Sequence, residues 1–175
     1  NVAWVGDGNN VCNSLILSTV LTGMNVTVAT PKGYEPAENI VKKAHSLGGK
    51  VTLVRKPEQA AKDADVIVTD TWISMGDDDE REERMKVFSS YTVNASLMRH
   101  ASPDARVLHC LPAHRGQEIA DEVMEGGQSL VWDEAENRLH PSGSHFHQLY
   151  RHSLLFRQRC GHMAPRRSLR SARLR

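Results

Sequence analysis

Three polar clusters in this chain carry side chains able to do chemistry, and each follows a short apolar run. The richest is His109-Cys-Leu-Pro-Ala-His-Arg-Gly116, which comes directly after Val107 and Leu108. A thiol beside an imidazole suits a nucleophile and its base. A cysteine at a strand end is also a common small buried hydrophobe, and the local sequence leaves both readings open. The second cluster is Asp70-Thr-Trp-Ile-Ser-Met-Gly76, after Val66-Ile-Val-Thr69. The Asp70 carboxylate is able to pair with an ammonium group, and the Ser74-Met75-Gly76 turn could present backbone amides to a carboxylate. A plain turn or helix cap is the alternative role for Asp70. The third is Gly6-Asp-Gly-Asn-Asn10, where Asn10 offers both donor and acceptor atoms. Together these groups suit an amino acid held by its α-ammonium and α-carboxylate.

The elements that must position them follow from the hydrophobic pattern. Short apolar runs at 2–5, 26–29, 51–54, 66–69 and around Val107 read as strands. Helical spacing spans 11–24, 37–47, 56–62, 94–99 and 118–124, and a last helix begins at Asp133. Asn9 or Asn10 is placed to cap the first helix. The charged run 77–85 reads as a solvated loop or helix face. Strands alternating with helices at this rhythm predict an α/β fold, a doubly wound parallel sheet of Rossmann-like type. All three clusters then lie at the carboxyl edge of one sheet, where open α/β folds bind ligands. Gly6 and Gly8 match the first two glycines of a dinucleotide fingerprint, but Val11 replaces the third. The second strand ends in Ala29-Thr30, where an acid would be wanted. A tight strand-to-helix turn explains the two glycines better than a cofactor cradle.

Composition places the chain in the soluble globular range, with 39% hydrophobic and 25% charged residues over 175 positions. No apolar run approaches a membrane span. The three cysteines, Cys12, Cys110 and Cys160, are too scattered for a disulfide framework or a metal motif. A reducing, cytoplasmic setting is the expectation. Charge is divided sharply: residues 1–140 hold all 21 acids against 14 Lys and Arg, a formal −7, while 141–175 hold eight Arg and no acid, a formal +8. Residues 1–140 are therefore expected to form one domain and 141–175 a basic, disordered tail. His140, His145, His147 and His152 lack the framework of a dedicated metal site.

The clusters also occur in a specific order. Gly6-Asp-Gly-Asn-Asn10, Ala29-Thr-Pro-Lys-Gly-Tyr-Glu-Pro36, Asp70-Thr-Trp-Ile-Ser-Met-Gly76, His109-Cys-Leu-Pro112 and Glu134-Ala-Glu-Asn-Arg-Leu139 follow one another. This closely resembles the C-terminal, ornithine-binding domain of the ornithine carbamoyltransferase family over residues 1–140. The resemblance implies transfer of a carbamoyl group from carbamoyl phosphate to L-ornithine, giving citrulline and phosphate without a redox cofactor or a metal. It implies that Asn10, Asp70, Ser74 and Met75 bind ornithine. Cys110 would lie beside the δ-amine without becoming a covalent nucleophile, and the Leu111 carbonyl would hold the carbamoyl amide. His109 and Arg138 would assist at the carbamoyl phosphate end.

The chain departs from that family in two places. The family's first domain is absent, and with it the Ser-x-Arg-Thr and His-Pro-x-Gln segments that grip phosphate and most contacts of the family homotrimer. After Glu-Asn-Arg, where the family continues with an apolar helix, this chain turns to Pro141-Ser-Gly-Ser-His and the arginine tail. A reading-frame change or a vector-derived end is the expectation there. One bound wall of a two-wall site predicts little activity for the isolated chain. The alternative from a different class is a noncatalytic binding module whose arginine tail holds nucleic acid.

Overall fold

The computed structural model describes residues 1–73 and 80–137, all within one compact unit, Asn1–Ser142. The expectations for the tail, and those for 74–79, lie outside the described residues.

Five parallel strands form one sheet in the order β3-β2-β1-β4-β5. They are β1 Val2–Val5, β2 Val26–Ala29, β3 Val51–Val54, β4 Val66–Thr69 and β5 Arg106–His109. The first strand is central. Val2 pairs with Val26 on one side and with Val66 on the other. Every residue of β1 is buried, as expected of a parallel strand covered on both faces. The edge strand β3 buries only Val51 and leaves Thr52 and Leu53 exposed.

Side chains alternate between the two faces. Ala3, Val5, Ala29, Ile67 and Val107 join one core with the alanines of α3 (Pro57–Ala61) and with Phe88, Leu97, Ile119 and Val131. Trp4 and Val28 face the other way. Helix α1 (Asn10–Leu21) buries Cys12, Leu15, Ile16, Thr19 and Val20 and packs on α2 (Glu38–Ser46). Trp4 is fully buried and its indole N–H donates to the Asp7 carbonyl at 2.9 Å, so an apolar side chain worth roughly 2–3 kcal/mol of burial leaves no unmet donor.

The remaining helices are α4 Arg81–Phe88, α5 Ala95–Met98, α6 Asp121–Met124 and α7 Val131–Asn137. Two differ from the sequence expectation. The helix expected from Glu118 starts at Asp121 because 118–120 pair as extended chain with Val93: the Val93 amide donates to the Glu118 carbonyl at 2.8 Å and the Ala120 amide to the Val93 carbonyl at 3.0 Å. The last helix starts at Val131 rather than Asp133, since Val131 is buried and needs the core more than the loop. The charged run is also only partly solvated. Arg81, Glu82 and Glu83 are exposed, but Arg84 turns inward.

The sheet order reverses between β1 and β4, so the crevice outside their carboxyl ends is the topological switch point. The loops after β1, β4 and β5 meet there.

Candidate functional site

The loop after β1 owes its shape to Gly8. A Cβ there would sit 2.2 Å from the Pro36 nitrogen and 2.4 Å from the Glu35 carbonyl carbon. The Gly8 amide donates to the Tyr34 carbonyl at 2.8 Å. The second glycine thus admits the backbone of the loop after β2. Gly6, with φ of +140°, makes the turn out of the strand. Both glycines serve a tight turn, as the sequence favoured.

Asn9 is the residue the sequence could not separate from Asn10. Its Oδ1 accepts the Val11 and Cys12 amides, each at 3.0 Å, and caps α1. Its Nδ2 donates to Asp70 Oδ2 at 2.9 Å. Asn10 begins the helix and is exposed. One side chain therefore secures the helix start and ties the β1 loop to the β4 loop.

Asp70 is 7% exposed. Its Oδ1 accepts the Thr71 amide at 2.8 Å and the Cys110 thiol at 3.1 Å. With Asn9 on the other oxygen, the carboxylate is fixed by groups from three loops. The local cap role for Asp70 is real, yet one amide bond would not require donors from Asn9 and Cys110 as well. Such a carboxylate is oriented in advance and keeps acceptor capacity for a cation.

Cys110 is half-buried and unbridged. The nucleophile–base pairing of Cys110 with His109 does not form. His109 is fully buried, its Nδ1 accepts the Leu111 amide at 2.9 Å, and its Nε2 lies 3.2 Å from Glu118 Oε1. Leu111 follows with φ of +57° and a cis bond to Pro112. His114 lies on the same loop; its amide donates to Glu118 Oε1 at 2.5 Å and its Nδ1 is 3.2 Å from Thr71 Oγ1. The β4 and β5 loops are thereby joined twice, through Asp70–Cys110 and through Thr71–His114.

Arg84 secures the far side of the β4 loop. Its Nη1 donates to Asp7 Oδ2 at 2.7 Å and to the Trp72 carbonyl at 2.9 Å, and its Nε to Glu80 Oε2 at 3.3 Å. The guanidinium also lies over the Tyr34 ring, 5.1 Å from its centroid. Tyr34, Trp72 and Tyr91 pack around Phe88.

Asp70, His109 and Cys110 offer ligand atoms within 4.8 Å of one another. Each is already committed to protein hydrogen bonds, so a metal would have to displace them. Of the residues expected at the site, the structure joins Asp70 directly to Cys110, buries His109 behind Cys110 with its ring bonded to the Leu111 amide, and places Asn10 beside the capping Asn9. Ser74, Met75 and Arg138 lie outside the described residues. Asn9, Arg84 and Glu118 were not expected there. Asn9 carried a signal as a possible cap, whereas Arg84 was hidden in a charge run and Glu118 in an expected helix. A recess of about 360 Å³ between α5 and α6 lies elsewhere, at the amino end of β5, and no converging buried polar side chains line it.

Residues 1–144 match the family model described as aspartate/ornithine carbamoyltransferase, Asp/Orn binding domain. The chain is similar to the ornithine carbamoyltransferase of Methanoculleus marisnigri, 61% identical over 139 residues that cover 79% of this chain and 45% of the relative. It is 57% identical to that of Archaeoglobus fulgidus over the same shares. Among solved structures it is similar to ornithine carbamoyltransferase from Pyrococcus furiosus, with TM-score 0.74 and 52% identity over 79% of this chain and 46% of that one. The anabolic ornithine carbamoyltransferase of Campylobacter jejuni superposes with TM-score 0.75 at 39% identity, covering 79% and 47%. The chain spans about half the length of the curated relatives it matches.

Proposed function

The chain belongs to the aspartate/ornithine carbamoyltransferase family, and from that premise we propose that it is the ornithine-binding half of an ornithine carbamoyltransferase. The whole enzyme would join carbamoyl phosphate and L-ornithine to give L-citrulline and phosphate. The observation that carries this reading is the Asp70 carboxylate, held at the switch point by Asn9, Thr71 and Cys110. It is set to receive an ammonium group, and Asp70 opens the string Asp70-Thr-Trp-Ile-Ser-Met-Gly76.

In this reading Asn10, Asp70, Ser74 and Met75 bind ornithine by its α-groups. The neutral δ-amine attacks the carbamoyl carbon, and phosphate leaves from the tetrahedral intermediate. Cys110 lies beside the amine, which must lose its proton before it can attack. The Leu111 carbonyl accepts from the carbamoyl amide, with His109 and Arg138 assisting at the carbamoyl phosphate end. Catalysis is then positioning and stabilisation of developing charge. A homotrimer and a cytoplasmic setting belong to the same proposal. Among the described residues no helix is long and apolar enough to cross a membrane.

One wall of a two-wall site binds weakly and turns over negligibly. Titration of the chain with L-ornithine, followed by amide shifts, should give a dissociation constant on the order of millimolar, with no response to L-aspartate. The Asp70→Asn variant loses the charge and, with one oxygen replaced by an NH2 donor, can no longer accept from Asn9 while keeping the Thr71 and Cys110 bonds. It should weaken ornithine at least about tenfold. Preference for aspartate would overturn the substrate. Citrulline formation at the rate of an intact relative would overturn the one-wall argument.

A further inference from the structure

Glu118 is a costly side chain to bury. Its carboxyl group is fully buried, and Oε2 has no hydrogen-bond partner among the described residues. A buried carboxyl is weak evidence for stability, since an apolar residue of similar volume commonly does as well or better. Oε1 accepts the His114 amide and faces the His109 ring, with the His114 ring nitrogen farther off at 3.9 Å. The two histidines lie at the start and in the middle of the loop that carries Cys110 and Leu111.

The proton on the His109 ring can be placed from its partners. Nδ1 accepts the Leu111 N–H and so carries no proton. The ring proton is therefore on Nε2 and is donated to Glu118 Oε1. The His109–Leu111 bond closes a short turn around Cys110. It pins the amide that enters Leu111, and the φ of +57° then sets where the Leu111 carbonyl emerges. An unconstrained leucine avoids that conformation.

We infer that Glu118 is a positioning residue for the Cys110–Leu111 turn. It holds His109 in the Nε2–H tautomer, which frees Nδ1 to clamp the Leu111 amide. His109 then assists at the carbamoyl end through the Leu111 carbonyl rather than by touching a reactant, because both of its nitrogens are engaged by protein. The assignment of the Leu111 carbonyl to the carbamoyl group rests on the function proposed above; the relay from Glu118 to Leu111 rests on the hydrogen bonds alone.

The test uses the full 175-residue chain with nitrogen-15 in its histidines and backbone. His109 should show the Nε2–H pattern in the parent protein. Glu118→Gln still presents an acceptor oxygen and should keep that pattern. Glu118→Ala should give a mixed tautomer and cost the Leu111 amide about tenfold in exchange protection, the effect of one lost hydrogen bond. It should weaken citrulline, which reaches Leu111 in this reading, about tenfold, while ornithine changes less than about twofold. Unchanged tautomer and protection in Glu118→Ala would overturn the inference. So would equal loss of both ligands with general loss of protection, the mark of a merely structural role. Should Glu118→Ala not fold, His109→Asn and His109→Gln decide. The asparagine oxygen can take the Leu111 amide without reaching Glu118, and the glutamine does the converse. Leu111 must stay protected only in His109→Asn; equal protection or the reverse overturns the relay. If the parent chain binds neither ligand, the functional reading fails while the tautomer and exchange data still decide the relay.

Discussion

Replacing Asn9 separates two jobs that one side chain performs. Oδ1 caps α1 through the Val11 and Cys12 amides, and Nδ2 donates to the Asp70 carboxylate. Asn9→Ala loses both. The cap is worth about 1 kcal/mol, and a hydrogen bond to a charged, part-buried acceptor about 1.5 kcal/mol, at the low end of its class. The expected loss is about 2.5 kcal/mol. Asn9→Ser keeps a capping oxygen but is too short to reach Asp70, so it should lose only about 1.5 kcal/mol. With a urea slope of about 2 kcal/mol per molar, the midpoints should fall by about 1.2 M and 0.7 M. Chemical denaturation followed by tryptophan fluorescence reads both. Asn9→Ser should also weaken ornithine, because Asp70 loses one of the donors that orient it. Equal midpoints for the serine and alanine variants would refute the cap. A serine variant as stable as the parent would refute the tie to Asp70.

Two other perturbations test the frame around the site. Gly8→Ala would push a methyl group to 2.2 Å from the Pro36 nitrogen, and should cost at least about 2–3 kcal/mol in a thermal or urea melt, since the obstacle is backbone. Burial pushes the Cys12 thiol well above its ordinary value of 9.0, with Asp7 adding to the effect. The folded chain then keeps a proton that the unfolded chain gives up. This group's contribution is fully present below about pH 9 and is lost as pH rises toward the folded value, with a slope of about 1.4 kcal/mol per pH unit. Cys12→Ala should be less stable at neutral pH, through the cavity it leaves, yet show a shallower alkaline decline; an identical decline would exclude Cys12 as its source.

The strands were legible because each is built on a short apolar stretch, only two residues long in Arg106–His109, and the parallel order followed from the helices between them. The crevice followed from topology, which brought Asp70 and Cys110 together from 40 positions apart. Tertiary pairing was harder to see. Asn9 and Asn10 are chemically identical neighbours, and only the backbone decides which one caps. Glu118 begins a stretch with good helical propensity, but burial and pairing with Val93 outweigh propensity there. Arg84 looked like one charge among many, because the acid that draws it inward, Asp7, is 77 positions away.

The placement of β1 bears on how the chain may be divided. This strand lies at the start of the sequence and touches both neighbouring strands, so trimming a handful of leading residues would not shave an edge. It would split the sheet into two unconnected pairs and separate the Asn9 arm from the Asp70 arm. Shortening experiments that remove this strand should therefore behave as all-or-none, and a split-protein design would find its natural seam on either side of Val2–Val5 rather than through the outer strands.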